Sequence, residues 1–426
     1  RDYYASRGLG DVYKRQLKDP EDTARVFKEA FYIAGTGRPG PVLIDIPMDV
    51  QKSVIDFEYP EKCEIRSYKP TTKGNYVQVR RVMAALEEAE KPLICIGGGV
   101  FAAHAENEIR ELADLMQIPV ITTMMGISVF PDDDQLFCGM IGTHGVKMAN
   151  AAVNECDVLF LVGARVGDRA VKTPLALEKT TKIIHIDIDP AEIGKNIGAD
   201  LPLVGDAKLV LQQMTELAKP MKHDDWIAHI KTLGGERKYV EPAKGTVNPR
   251  VFIDKLAKKM PANVTVVADV GQNQIWTCTE YKFRKEGRLL TSGGMGTMGY
   301  SVPAAIGAKM ADNSRATVAI CGDGAFQMSF MELATAVQFG VDIKVVVMTN
   351  NRLGMVRELQ TNGYHDRQTA VFLDGSPDFI KLAEAYGIPA MRVYDDDTMD
   401  KGIEMLAEHK GICLVEVVVD KDMPTL

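Results

Sequence analysis

Several features that mark other protein classes are scarce in this sequence. Its 426 residues include only 7 cysteines, scattered and without a C-x-x-C pair, which argues against a disulfide framework and a structural zinc site. No apolar run approaches the roughly 18 residues of a membrane helix, and no signal peptide is visible. We therefore expect a protein of the reducing cytoplasm with no membrane partner.

Charge of one sign is not concentrated anywhere either. The chain has 50 Lys and Arg residues against 58 Asp and Glu residues, a net charge of −8, without long runs of one sign. Because nucleic acids are bound mainly through clustered Lys and Arg, no nucleic acid partner is expected. A chain of this length has room for two or three domains, each with its own core.

Apolar runs alternate with helical spacings in two groups. A helix face from Val79 to Leu86, a further helix over 326–337 and the buried runs between such segments predict an α/β protein with two doubly wound parallel sheets. We assign residues 75–215 to a central domain and 245–426 to a C-terminal domain. Strands are predicted in the runs PLICIGGG, PVITT, VLFLVGAR and KIIHIDID, and in VTVVAD, ATVAIC, IKVVVMT and CLVEVVVD.

The first 60 residues fit less well. Residues 1–16 carry no apolar periodicity, so we interpret them as a non-native leader and exclude them from the fold. A helix and one strand, Val42 to Ile46, are predicted after Pro20. Since one strand cannot make a domain, we expect residues 17–60 to be the remnant of a third domain whose body lies outside this chain.

An aspartate between two glycines, in AICGDGAFQM, directly follows a predicted strand. The next strand ends at Thr349, and a right-handed crossover brings the ends of both strands to one edge of the sheet. Asp323 and Asn350 are therefore expected side by side, where their oxygen atoms suit Mg²⁺. Gly322 and Gly324 would let a phosphate approach the backbone. The alternative is that Gly-Asp-Gly forms only a tight turn.

These segments resemble the cofactor motif of thiamine diphosphate enzymes. GDGAFQM followed by TNNRLGMV implies Asp323, Asn350 and the carbonyl of Arg352 as Mg²⁺ ligands. Because two asparagines are adjacent in TNNRLGMV, Asn351 is the alternative to Asn350 as the ligand. The loop SGGMGTMGYSVPAAIGA implies Met298 as the apolar support of the thiamine ring, and DVGQNQIW is similar to a diphosphate loop in which many relatives have His at position 273. The implied cofactor contacts are Gln272, Asn273, Gly296, Met298, Gly322, Gly324, Ala325, Gly354 and Met355.

The central domain narrows the resemblance to acetohydroxyacid (acetolactate) synthase. IGGGVFA matches a dinucleotide motif, but Thr122 and Thr123 stand where a simple NAD site carries an acid. TTMMG, MIGTHGVKMAN, VGARVGDR, HIDIDPAEIGKN and LVGDAK occur in the order of that family's flavin domain, and the resemblance covers nearly all of 17–420. It implies that FAD is lined by Gly97, Gly98, Thr123, Met125, His144, Gly163, Arg165, Asp187, Asp189 and Asp206. Alternatively, His144 is a turn histidine and Asp189 a helix cap.

The resemblance also implies a reaction. The family decarboxylates pyruvate on thiamine diphosphate and ligates the hydroxyethyl unit to pyruvate or 2-ketobutyrate, in branched-chain amino acid biosynthesis. Arg169 is the candidate for the acceptor's carboxylate, because a guanidinium offers a bidentate fork. Gly167 stands where relatives usually have an acid, and Leu359 where they often have Trp. Flavin retention and acceptor preference are therefore left open.

Parts of the implied enzyme lie outside this chain. The glutamate that activates the cofactor is expected on the pyrimidine-binding domain, of which 17–60 would be the remnant, and a closing tail is expected after Leu426. The chain alone is therefore expected to be inactive. The family forms homodimers or tetramers, and a small regulatory subunit is left open. Two other interpretations are a related FAD and thiamine diphosphate enzyme, such as pyruvate oxidase or glyoxylate carboligase, and a non-catalytic nucleotide-binding module.

Overall fold

The computed structural model describes residues 13–66, 68–235 and 239–426, which form three sheets. Two of the sheets have six parallel strands each, and the third has two. The predicted α/β class, with two doubly wound sheets and a smaller third part, is confirmed. None of the helices in these ranges combines the length and the apolar character needed to cross a bilayer.

The small sheet belongs to the N-terminal part. Its elements are β1 (Tyr13–Gln16), a 3₁₀ turn (Pro20–Asp22), α1 (Thr23–Gly35), β2 (Val42–Asp45) and α2 (Met48–Gln51). β1 pairs with β2 along its whole length, and Leu17, Val26 and Val50 form the core beneath them. Excluding residues 13–16 from the fold is therefore wrong, because a short polar strand can pair through its backbone without an apolar run. Residues 1–12 lie outside the described residues.

The central sheet has strands β3 (Pro92–Ile96), β4 (Val120–Thr122), β5 (Phe137–Met140), β6 (Val158–Val162), β7 (Lys182–Asp187) and β8 (Leu201–Val204). The helices around it are α3 (Tyr76–Glu88), α4 (Gly99–Ala102), α5 (Glu106–Met116), α6 (Lys147–Glu155), α7 (Pro174–Leu177), α8 (Ala207–Thr215) and α9 (Asp224–Thr232), with a 3₁₀ turn (Met124–Gly126). The strand order is β5-β4-β3-β6-β7-β8. The chain thus leaves the middle of the sheet in both directions, which opens a crevice beyond the carboxyl ends of β3 and β6.

The C-terminal sheet has strands β9 (Thr265–Ala268), β10 (Arg288–Thr291), β11 (Thr317–Gly322), β12 (Lys344–Thr349), β13 (Ala390–Val393) and β14 (Cys413–Val418). Its helices are α10 (Pro249–Lys259), α11 (Gln272–Glu280), α12 (Ser301–Ala311), α13 (Asp323–Phe326), α14 (Leu333–Gln338), α15 (Gly354–Gly363), α16 (Phe379–Ala385) and α17 (Asp396–Glu408), with a 3₁₀ turn (Phe330–Glu332). The order β10-β9-β11-β12-β14-β13 places the switch point between β9 and β11.

The helix predicted over 326–337 differs from the structure. It is divided into α13, the 3₁₀ turn and α14, because the backbone leaves the helical conformation at Ser329 (φ −142°). The apolar spacing remains helical across this break, since Phe326 and Leu333 are both buried in the same core. The predicted stop is correct: Gly340 has φ +60° and follows the end of α14.

The central and C-terminal domains contact each other through a reciprocal pair of hydrogen bonds. The backbone N–H of Asp132 donates to the carbonyl of Phe283, and the N–H of Phe283 donates to Oδ2 of Asp132, both at 2.8 Å. Burial raises the pKa of Asp132 to about 6, although Lys282, 3.6 Å away, favours the ionised form. Arg288 and Glu106 add an ion pair at 2.9 Å across the same boundary.

Candidate active site

The carboxyl ends of β9, β11 and β12 surround one pocket. Its empty space is about 600 Å³, part of which is open to solvent. Most of the predicted thiamine diphosphate and metal residues line it: Gln272, Asn273, Met298, Gly322, Asp323, Gly324, Ala325, Asn350, Arg352, Gly354 and Met355. Gly296 lies outside the lining, in an exposed turn where its N–H donates to the carbonyl of Ser292 at 2.7 Å. The sheet therefore brings together residues that are far apart in the sequence.

Asp323 is held at the centre of the pocket by backbone donors. Its Oδ1 accepts the N–H of Gly324 at 2.8 Å, and its Oδ2 accepts those of Asn350 at 3.1 Å and Asn351 at 2.6 Å. Burial raises the pKa of Asp323 to about 6, the three N–H groups oppose that shift, and the charge of Glu416 adds to it. A bound cation would offset the cost of this buried charge.

Asn350 contributes an amide to the same pocket. Its Oδ1 accepts the N–H of Arg352 at 3.0 Å, and its Nδ2 donates to Oε1 of Gln272 at 3.2 Å. Asn351 is exposed and has φ +53°. Asn350 lines the pocket and Asn351 lies outside its lining. The geometry therefore favours Asn350 of the two asparagines.

The donor set suits a hard divalent cation. Within the described residues no group of three or more His, Cys, Asp or Glu side chains could hold a metal. A metal in this pocket would therefore use one carboxylate with amide and carbonyl oxygens, which Asp323, Asn350 and Arg352 can supply. Oxygen ligands of this kind are those that Mg²⁺ takes in sites it shares with phosphates.

The side chain of Asn273 has a structural role. Its Nδ2 donates to the carbonyls of Asp269 at 2.8 Å and of Ile320 at 3.2 Å, so that it ties the end of β9 to β11. An amide nitrogen has two hydrogens, and both are directed at these carbonyls. A contact between Asn273 and a diphosphate stays a prediction.

Sequence reasoning missed Asp269. This residue is fully buried at the end of β9, where Oδ1 accepts the N–H of Gly299 at 3.0 Å and Oδ2 that of Ser301 at 2.8 Å. It thereby fixes the start of α12 and the loop that carries Met298. A signal was present, because Asp269 follows an apolar strand just as Asp323 does.

A second group of predicted residues lies at the crevice of the central sheet. The N–H of Gly97 donates to the carbonyl of Val162, and that of Gly99 to the carbonyl of Gly163, both at 3.0 Å. A Cβ at position 97 would lie 2.1 Å from the oxygen of Gly163, which itself has φ +57°. These glycines therefore let the ends of β3 and β6 meet at the switch point, where doubly wound sheets bind dinucleotides.

Comparisons with known proteins agree with this arrangement. A family model described as "Thiamine pyrophosphate enzyme, C-terminal TPP binding domain" matches residues 269–417, and "Thiamine pyrophosphate enzyme, central domain" matches 79–214. The chain is 40% identical to a probable acetolactate synthase large subunit of Methanocaldococcus jannaschii, over 95% of this chain and 71% of the relative. The acetolactate synthase isozyme 3 large subunit of Escherichia coli is 35% identical, over 95% and 73%.

The chain belongs to the acetolactate synthase large subunits. This is a family of thiamine pyrophosphate enzymes, so the resemblance seen in the sequence motifs is confirmed. The acetolactate synthase large subunit of Corynebacterium glutamicum is similar to the same extent, at 40% identity over 95% of this chain and 67% of the relative. The match to the C-terminal domain begins at Asp269 and includes every predicted diphosphate and metal residue.

Other residues that the acetolactate synthase resemblance assigns to FAD surround the crevice more widely. Gly98 and Met125 are close neighbours, since a Cβ on the glycine would lie 3.1 Å from that of the methionine. The N–H of Thr123 donates to the carbonyl of Ile96 at 2.9 Å. Arg165 is exposed, and its carbonyl accepts Nδ2 of Asn196 at 2.7 Å. These residues keep their assignment as predictions.

The three acids assigned to FAD have local partners. Asp187 ends β7 and accepts the N–H of Asp189 at 2.9 Å, and burial raises its pKa. Asp189 accepts the N–H of Ala191 at 2.9 Å and pairs with Arg38 at 3.3 Å. Asp206 caps α8 by accepting the N–H of Leu209 at 3.1 Å. Asp189 therefore stabilises a turn, because no helix follows it in the described stretch between β7 and β8, and contacts with FAD would add to these roles.

The predicted substrate residue lies near the boundary between the two domains. The N–H of Thr143 donates to the carbonyl of Arg169 at 2.8 Å, which joins the segments of His144 and Arg169, and the side chain of Arg169 is exposed. Burial lowers the pKa of His144, and the nearby charge of Glu358 on α15 opposes that shift. The segment of His144 and Arg169 is therefore close to α15 of the C-terminal domain.

Proposed function

We propose that this chain binds thiamine diphosphate and Mg²⁺ at the ends of β9, β11 and β12 and acts in the synthesis of acetolactate. The contact between Asp323 and the backbone of Asn350 carries the proposal. It puts one carboxylate and one amide, from neighbouring parallel strands, at the same point of one pocket. The family of the chain supports the same assignment.

The residues present fit the cofactor and its metal. Asp323, Asn350 and the carbonyl of Arg352 would hold Mg²⁺, and Gly322 and Gly324 present backbone without side chains on either side of Asp323. Thiamine diphosphate, when bound, supplies an electron sink for the carbanion left by decarboxylation of a 2-keto acid. Met298, which lines the same pocket, would be the apolar support of the ring.

FAD also fits the residues that are present. The glycines of the central crevice bring backbone to its surface without side chains, which is what a dinucleotide's phosphates require. We assign it no chemical step, because the family uses it largely as an architectural group. Arg169, exposed at the domain boundary, would bind the carboxylate of the acceptor, pyruvate or 2-ketobutyrate, through a bidentate pair.

The setting of the enzyme is part of the proposal. All seven cysteines are free within the described chain, which suits a reducing cytoplasm. The relatives are named large subunits, so we propose a small subunit as a partner and a homodimer or tetramer as the assembly. The pyrimidine-binding domain would supply the glutamate that activates the cofactor, and this chain alone is proposed to be inactive.

Product analysis tests this proposal. Protein that includes the pyrimidine-binding domain is incubated in air with pyruvate, phosphate, thiamine diphosphate, Mg²⁺ and FAD, and acetolactate is measured. We expect acetolactate to form, and to form only at the background rate when Mg²⁺ is left out. Acetyl phosphate with peroxide, or no product, would contradict the proposal. Acetolactate made by residues 17–426 alone would contradict the expected need for the further domain.

A further inference from the structure

Gln272 is bound on both ends of its amide. Its Oε1 accepts from Nδ2 of Asn350 at 3.2 Å, while its Nε2 donates to the carbonyl of Met423 at 2.8 Å and to Oγ1 of Thr425 at 3.2 Å. Oε2 of Glu358 lies 3.4 Å from the same nitrogen. The side chain is only 4% exposed, so water cannot replace these partners freely.

The direction of these hydrogen bonds is fixed at the end away from the pocket. Both the N–H and the hydroxyl of Thr425 donate to the carboxylate of Glu358. A carbonyl and an ionised carboxylate can only accept, so Gln272 must turn its NH₂ toward Met423 and Thr425. A flipped amide would put its oxygen against the oxygens of Met423 and Glu358, with no hydrogen between them.

The orientation of the Gln272 amide also determines that of Asn350, the proposed metal ligand. Because the oxygen of Gln272 faces Asn350, Asn350 must turn its NH₂ toward Gln272 and its Oδ1 toward the N–H of Arg352. That is the orientation in which Asn350 offers oxygen, the atom that Mg²⁺ binds, to the pocket. A reversed Asn350 would present hydrogens there.

Gly354 leaves the space that Gln272 needs. A Cβ at position 354 would lie 1.9 Å from Oε1 of Gln272 and 2.5 Å from its Cδ. Any side chain at 354 would therefore push the amide of Gln272 away from Asn350. The conformation of Gln272 thus depends on a glycine at the start of α15 and on the segment that follows β14.

We propose that Gln272 is a positioning residue that sets the orientation of the Asn350 amide for Mg²⁺, and that its side chain does not bind the diphosphate. This inference rests on the proposed function, since it concerns the same pocket. Both hydrogens of its amide are directed at Met423 and Thr425, which leaves none for a phosphate oxygen. Loss of Gln272 should therefore lower the affinity for Mg²⁺ and leave the affinity for thiamine diphosphate in excess Mg²⁺ unchanged.

Two titrations of the full-length protein separate these roles. Trp276 lines the pocket, so the quenching or enhancement of tryptophan fluorescence that is absent in Trp276→Phe reports binding. In Gln272→Met the Mg²⁺ concentration for half-maximal change, at saturating thiamine diphosphate, should rise by about tenfold, as for partners that orient a metal ligand. The half-saturating concentration of thiamine diphosphate in large excess Mg²⁺ should stay within about twofold of wild type.

Matched variants make the test specific. Gln274→Met changes a similarly buried glutamine on α11 whose Nε2 donates to Thr291 at 2.6 Å, and it should alter neither titration. Gly354→Ala should raise the Mg²⁺ requirement as Gln272→Met does, and the double variant should add little more. Each variant must have a near-native circular dichroism spectrum. If Gln272→Met does not fold, Gly354→Ala alone tests whether the Gln272 amide orients Asn350.

Three results would overturn the inference. An unchanged Mg²⁺ requirement in Gln272→Met or Gly354→Ala would show that the amide does not orient Asn350. A higher requirement for thiamine diphosphate in excess Mg²⁺ would show that Gln272 binds the diphosphate. Failure of the wild type to bind thiamine diphosphate with Mg²⁺ would contradict the proposed function as well, and only this result does so.

Discussion

Oδ2 of Asp323 accepts the backbone N–H of Asn350 at 3.1 Å, although the two residues are 27 positions apart in the sequence. The contact arises because β11 and β12 run in parallel and end together, with Gly322 opposite Met348. A crossover of this kind brings the end of each strand to the same edge of the sheet. The pocket is therefore a product of the topology.

Asp132 should make the stability of the protein depend on pH. Its pKa is raised by burial to about 6, so its stabilising contribution is complete below the unfolded value of 3.8 and is lost as the pH rises through about 6. Asp132→Asn keeps an acceptor for Phe283 and cannot ionise. Between pH 4 and 7 the unfolding free energy of this variant should gain up to about 3 kcal/mol relative to wild type.

Denaturant unfolding of both proteins at several pH values checks this. The groups that face Asp132 are Lys282, which favours the charged form, and Asp133, which disfavours it. Asp133→Asn, at an exposed position next in the chain, is the control and should follow the wild type more closely. A difference between Asp132→Asn and wild type that does not change with pH would contradict the account.

Gly97 should tolerate no side chain. A Cβ there would lie 2.1 Å from a backbone oxygen, that of Gly163, so β3 and β6 would have to separate. We expect Gly97→Ala to lose about 2 kcal/mol of unfolding free energy and to bind FAD more weakly. Thermal unfolding and flavin retention after gel filtration measure both.

A control of opposite sign is available on α12. Gly307 is exposed within this helix, and the space around its Cβ position is free of other described atoms within 4 Å. Gly307→Ala should stabilise the protein by about 0.5–1 kcal/mol, because alanine is the better helix former. Equal stabilities of Gly97→Ala and wild type would mean that the crevice is not as tightly packed as described.

Gly167 has room for the acid that relatives usually have there. A Cβ at this position meets none of the described heavy atoms within 4 Å. If this position faces FAD, Gly167→Asp should bind FAD several times more tightly, because a carboxylate can accept hydrogen bonds from the flavin's polar groups. Titration of the apoprotein with FAD measures the effect, and Gly167→Ala should not change the affinity. Weaker binding by Gly167→Asp would argue against a flavin contact here.

The strands that sequence reasoning found and missed differ in where they lie. β3, β6 and β7 in the central sheet and β11 and β12 in the C-terminal sheet are almost wholly buried and read as continuous apolar runs. In these two sheets the strands without a prediction are β5, β8, β10 and β13, which are the edges. Edge strands are partly exposed, so their sequences, such as AMRV in β13, contain no such run.

The site was predictable to the extent that it depends on local motifs. Asp323, Asn350 and the glycines follow strands, and their place at the edge of the sheet follows from the order of the elements. The orientation of Gln272 was not predictable, because it is set by Met423 and Thr425, some 150 positions away. No local pattern in the sequence indicates that contact.

The central claim is that Asp323 holds Mg²⁺ in the pocket. It is tested most directly by calorimetric titration of wild type and Asp323→Asn with thiamine diphosphate in the presence of Mg²⁺. Asn keeps the size of the side chain and removes the charge. We therefore expect binding to weaken by about a hundredfold or more, which exceeds the usual effect of replacing a residue that only orients a metal ligand. Asp374→Asn, which removes an exposed carboxylate beside Arg352, should bind nearly as wild type does. Equal affinities of Asp323→Asn and wild type would contradict the account.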